Sequence, residues 1–163
     1  MQKIRLYRSE WLSAVVITLC ILLAAFIFAM SAEPASVSGE RSTGIAARIL
    51  SMLFPELAAG ATDAWEETVA FADHLLRKAA HFCVYTVLGG LLCLASLGFS
   101  ASPGAHFSLP WCIGTLYAAT DELHQAFVPG RGPAVTDVLL DSVGVFFGIA
   151  VMMLVARHIW KKK

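Results

Sequence analysis

The chain has 163 residues, 58% of them hydrophobic and only 15% charged, with a mean hydropathy of +0.70. Soluble domains carry about 25% charged residues, and a chain this short has room for one modest core, so a water-soluble globule is excluded. Twelve basic and twelve acidic residues cancel, which leaves no electrostatic case for nucleic acid as a partner.

In chain order, the first element is an apolar run over 11–30, without charge and about the 20 residues a helix needs to cross hydrocarbon. Lys3, Arg5 and Arg8 precede it and Ala29-Met30-Ser31-Ala32 ends it, a pattern that also resembles a secretory signal. The run exceeds the 7–15 residues usual for such signals, so a retained helix is expected. Ser31 to Arg41 mixes Pro, Ser, Gly and charge and reads as flexible. Thr43 is placed to cap an amphipathic helix from Gly44 to Phe54, ending before Pro55, with Ile45, Ile49, Met52 and Leu53 near one face. That helix either rests on a lipid surface or packs on the bundle. Thr62 or Asp63 starts a further helix that can run directly into the next span.

Three more apolar runs follow, over 80–99, 107–127 and 138–156. None alternates in the manner of a strand, and backbone in lipid must pair internally, so all are expected to be helices. The fold class is therefore all-α, an integral membrane four-helix bundle with amphipathic helical segments in the first outer loop. The 163 residues form a single domain. Basic residues cluster before the first span and after the last, at Arg157, Lys161, Lys162 and Lys163, which places both termini in the cytoplasm. The loop from Ser100 to His106 is then internal, and the loops Ser31 to Arg77 and Val128 to Thr136 external. Cys20, Cys83, Cys93 and Cys112 lie in apolar runs without CxxC spacing and read as buried hydrophobes.

On this topology the ionisable residues meet at the outer face. Lys78, His81 and Tyr85 follow i, i+3, i+7 and share a helical face, which His74 extends. Asp121 and Gln125 share a face of the third span, and Glu122 is turned about 100° away. Asp137 and Asp141 stand one turn apart, and Gly144 and Gly148 continue as a GxxxG that permits close helix approach. Pro129-Gly130-Arg131-Gly132-Pro133 forms a stiff turn holding one Arg over the same region. An ionisable group at membrane depth costs roughly 2.5–3.5 kcal/mol on insertion scales, so Asp121, Glu122 and Asp141 face protein or water and are functional candidates. The competing account is structural: the charges neutralise one another and fix helix register, although buried ion pairs are a poor source of stability.

Lys78-Ala79-Ala80-His81-Phe82-Cys83-Val84-Tyr85, then Asp121-Glu122-Leu123-His124-Gln125-Ala126-Phe127-Val128-Pro129-Gly130-Arg131, then Asp137 through Gly144 and Gly148 resemble the VanZ-like family of bacterial membrane proteins. The family pattern is K-x-x-H-F-x-x-Y, D-E-x-x-Q-x-F-x-P-x-R and D-x-x-x-N-x-x-G-x-x-x-G, in that order. The likeness runs from about Arg77 to Gly148, and Asp141 stands where the pattern more often has Asn. It implies a bacterial cytoplasmic membrane protein and a link to teicoplanin-type glycopeptide resistance, without a mechanism.

Three functions compete on the residues themselves. The first is a binding site for a lipid-linked or cell-wall-associated ligand, in which Arg131 and Lys78 hold an anionic group and Tyr85, Asp121, Glu122, Gln125, His81, Asp137 and Asp141 supply polar contacts. The second is an acid–base enzyme using His81 or Glu122, although the chain has no HExxH and no Gly-rich phosphate loop. No cofactor is expected. A divalent-metal variant would draw on Asp121, Glu122, Asp137 or Asp141 with His81. The third is a small transporter subunit, for which one four-helix bundle with apolar inner halves would have to oligomerise. Membrane lipid is the expected partner, and the oligomeric state is left open.

Overall fold

The computed structural model describes residues 10–60, 63–99 and 102–161. Among these, six helices and no strands are present: α1 (Glu10–Ser31), α2 (Ala35–Leu53), α3 (Pro55–Ala59), α4 (Asp63–Ser96), α5 (Pro103–Gln125) and α6 (Val135–Lys161). The expected all-α class is what the chain adopts. Lys3, Arg5, Arg8, Thr62, Ser100, Lys162 and Lys163, on which parts of the sequence reading rest, lie outside the described residues.

α1, α4 and α6 are each long and apolar enough to cross a membrane. α1 shows why such helices need lipid. Its buried residues are Val16, Cys20, Ile27 and Ser31, a single stripe, while Trp11, Ile21, Leu22 and Phe26 on its other faces are exposed. A helix apolar all round cannot rest in water on one stripe alone. α5 has the length of a span at 23 residues but is not among the helices apolar enough to qualify by composition. Its outer faces carry Leu109, Ile113, Leu116 and Leu123, while His106, Asp121, Glu122 and Gln125 are buried.

α4 organises the molecule, packing against α1, α2, α5 and α6. At 34 residues it is about 50 Å long, well beyond the roughly 30 Å hydrocarbon core, so a crossing by α4 would leave its charged N-terminal part projecting past the lipid. It starts at Asp63, one of the two expected positions, and runs unbroken into the span. Its tightest contact is with α6. A Cβ added at Gly148 would stand 1.9 Å from the Thr86 carbonyl oxygen, and one at Gly89 would stand 2.2 Å from that of Val145. The GxxxG thus brings two backbones into direct contact. Tyr85, Leu88, Cys93, Ala118, Val145 and Ile149 fill the core beside it.

Two sequence expectations are corrected. The segment read as flexible is helical from Ala35, so Thr43 sits inside α2 and not at its start. Ser38 and Ser42 donate to backbone carbonyls one turn back (Ser38 to Pro34, Ser42 to Gly39), which satisfies the polarity that looked like a linker. The loop placed at Ser100 to His106 is shorter than expected. Ser102 accepts from the Ala105 N–H at 3.3 Å and Pro103 occupies the first helical position, so α5 already includes His106. The His106 ring is buried, with Nδ1 3.2 Å from Ser96 Oγ.

α2 packs on α4 and buries Ala46, while Ile45, Ile49, Met52 and Leu53 remain exposed. Helix–helix packing is therefore met through a small residue, and the apolar face is left free. All four cysteines are free thiols; Cys20 and Cys93 are buried as expected, but Cys83 and Cys112 lie exposed on apolar helix faces.

Candidate functional site

Asp121 organises the buried part of the site. It lies two turns above the α5 crossing at Gly114, one turn before Gln125, and is 2% exposed. Its Oδ2 accepts from the Ser31 hydroxyl at 2.8 Å, the Gln125 side-chain amide at 3.3 Å and the Tyr85 hydroxyl at 3.4 Å. Three helices thus donate to one carboxylate oxygen. Ser31 is the short contact, and it comes from α1, ninety residues away in sequence. Tyr117 adds a second tie to α1 by donating to the Ala24 carbonyl at 2.6 Å.

Gln125 links this buried group to the surface. Its Oε1 accepts from Arg131 Nη1 at 3.5 Å, and Arg131 Nη2 donates to Ser38 Oγ at 2.9 Å. The turn carrying Arg131 is possible because Gly130 adopts φ 76°, a left-handed conformation that L side chains rarely take. The turn is tied to α2, whose Ala35 N–H donates to the Pro129 carbonyl at 3.1 Å.

Lys78 and Asp137 form an ion pair between α4 and α6. One turn deeper on both helices, His81 Nδ1 lies 3.5 Å from Asp141 Oδ2. Asp141 is fully buried, and among the described residues neither of its oxygens receives a hydrogen bond. His81 at ion-pair distance is its polar neighbour. The close α4–α6 crossing fixes both pairs, because the residues alternate along the same two facing stripes.

These elements surround a cavity of about 630 Å³. Lys78, His81, Tyr85, Gln125, Arg131 and Asp137 line it, so six of the residues expected to converge do so. Asp121 and Asp141 stand behind that lining, holding Tyr85, Gln125 and His81 in place. Glu122 belongs elsewhere: its Oε2 accepts from the Ala134 N–H at 2.9 Å, anchoring the start of α6. The predicted 100° rotation from Asp121 is what turns it away. His124 is also apart, stacked on Phe28 with ring centroids 4.3 Å apart.

Sequence reasoning missed much of the wall. Ser31, Ser38, Arg41 and Ile45 come from α1 and α2, and Phe26, Ile27 and Met30 form an apolar flank with Val84. The one available signal was the basic residue Arg41 amid serines, which composition marked as linker. Among the described residues no three His, Cys, Asp or Glu side chains are grouped to hold a metal.

The arrangement is chemically mixed. Four Lys or Arg side chains share the cavity lining with aliphatic and aromatic side chains of α1 and α4. A family model described as VanZ/LLP1 matches residues 16–156, most of the chain. Comparison with curated proteins and with solved structures gave no match.

Proposed function

Because the chain belongs to the VanZ/LLP1 family, we propose that it is a multi-pass protein of the bacterial cytoplasmic membrane that binds a lipid-linked or cell-wall-associated ligand at its outer face. The observation that carries this reading is the mixed lining of the cavity, in which four basic side chains stand together with the apolar Phe26, Ile27, Met30 and Val84. A ligand with a charged head and a hydrocarbon tail matches both surfaces, and a purely soluble ligand leaves the apolar flank unused. α5 completes a four-span bundle in this reading, and both termini lie in the cytoplasm. α1 is retained, since its removal would strip Asp121 of its shortest hydrogen bond.

Occupancy of this cavity by a wall precursor would connect the protein to glycopeptide resistance. Expression-matched Arg131→Lys and His81→Gln should lower a resistance phenotype in a strain where the parent confers one, with membrane abundance and melting temperature unchanged. Full resistance in both well-folded variants would reduce the polar cluster to a helix-packing network.

A second reading, acid–base chemistry on the bound ligand, is favoured by the His81–Asp141 pair. A buried carboxylate beside Nδ1 of a cavity-lining histidine fixes the ring and leaves Nε2 as the proton acceptor. Glu122 has no part in this, being committed to Ala134.

A further inference from the structure

The cations of the cavity are not equivalent. Arg41 pairs with Glu33 at 3.1 Å, Arg77 with Asp73 at 2.9 Å, and Lys78 with Asp137. Arg131 differs: among the described residues its hydrogen-bond acceptors are the neutral Ser38 hydroxyl and the neutral Gln125 amide. A guanidinium has five N–H donors in a fixed planar fork. Two neutral acceptors orient that fork without cancelling its charge.

We infer that the cavity takes a phosphate ester of a long-chain lipid, with the phosphate on Arg131 and the chain along the α1–α4 flank. This rests on the reading of the cavity as an amphiphile site and names the ligand's charged group.

Arg131 is half-buried on the cavity wall, where its charge is less screened than on open surface. The fork matches two phosphate oxygens, and Arg is favoured wherever planar bidentate recognition is needed. Asp137, the acid on the lining, is already engaged by Lys78 and does not oppose an incoming anion at Arg131. Ala35 and Ser38 of the first turn of α2 lie on the same wall, and the Ser38 hydroxyl holds the guanidinium from that side. The tail is specified by position. Phe26, Ile27 and Met30 are on the last turns of a helix that also exposes Leu19, Ile21, Leu22 and Phe28, so a chain entering between α1 and α4 passes from one hydrocarbon surface to another.

The test uses the full chain in a neutral detergent and compares four probes: a polyprenyl phosphate, phosphatidylglycerol, the neutral polyprenol and inorganic phosphate. Affinity is read by native mass spectrometry and thermal shift. The phosphorylated lipids should bind at least about tenfold more tightly than the polyprenol, the loss expected when one charge-assisted contact is missing. Inorganic phosphate should produce no shift at the same concentration. Preference for the polyprenyl phosphate over phosphatidylglycerol identifies a carrier lipid as the source, and equal binding identifies bulk lipid. Arg131→Lys should weaken the phosphorylated lipids about tenfold and leave the polyprenol unchanged, which separates lost recognition from lost folding. If polyprenol and polyprenyl phosphate bind equally, the amphiphile site stands and the phosphate assignment falls. If neither lipid binds, the reading of the cavity falls with it.

Discussion

Replacing Gly148 by alanine tests the α4–α6 crossing on which the site is built. The new Cβ would stand 1.9 Å from the Thr86 carbonyl oxygen, 2.7 Å from the Gly90 nitrogen and 2.9 Å from the Thr86 carbonyl carbon. Ordinary contacts begin near 3.4 Å, so the helices must separate locally by roughly 1.5 Å, on a scale where dispersion contacts are already weakened. The opposing atoms are backbone and cannot rotate away. Overpacking typically costs about 1–3 kcal/mol, and a backbone clash belongs at the upper end. For a chain of this size about 3 kcal/mol lowers a melting temperature by on the order of 10 °C. Gly90→Ala is the matched control, because its Cβ would meet the Gly148 oxygen at an ordinary 3.6 Å. A helical Gly→Ala change without a clash gains about 0.5–1 kcal/mol. Circular-dichroism melts in detergent should therefore separate the two variants in opposite directions from the parent. Equal melting temperatures for Gly148→Ala and Gly90→Ala would refute the direct backbone contact. They would also remove the reason for the spacing of Lys78–Asp137 and His81–Asp141.

Asp121→Ala leaves the Ser31, Tyr85 and Gln125 donors without their acceptor, at about 1–3 kcal/mol for each buried donor that stays unpaired; folded protein recovered from membranes should fall severalfold, and unchanged recovery would contradict the three-helix junction. Glu122→Gln keeps an acceptor for the Ala134 N–H, so lipid affinity should stay within about twofold; a large loss would return Glu122 to the cavity. Ser102→Cys in a cysteine-free background should resist an impermeant thiol reagent applied outside the cell, and rapid labelling would move the polar end of the bundle to the cytoplasmic side.

Run length made α1, α4 and α6 legible, because an apolar run of about 20 residues with at most one Asp, Glu, Lys or Arg in it has few other fates. The stripe Lys78–His81–Tyr85 and the pair Asp121–Gln125 were legible for a similar local reason: helical periodicity dictates which residues share a face, and each of these side chains is used on the face predicted. Ser31 was not legible, since its role is defined by a partner ninety residues away. Ser38 and Arg41 were hidden by composition, as Pro, Ser and Gly signal a linker unless backbone carbonyls one turn back accept the hydroxyls, which is what happens in α2. The family match begins at residue 16, before the motifs that carry the likeness, and so takes in α1, whose Phe26, Ile27 and Met30 lie on the cavity lining. Glu122 shows the opposite error. It stood next to Asp121 in a recognisable motif, and adjacency on a helix is 100° of rotation.

The most direct test is a structure of the full chain extracted with its native lipid. Density for a hydrocarbon chain along Phe26, Ile27 and Val84, ending in a headgroup within hydrogen-bond distance of Arg131, is the predicted result. Lipid density confined to the exposed faces of α1 and α6, with none in the cavity bounded by Ser38, His81 and Arg131, would contradict it.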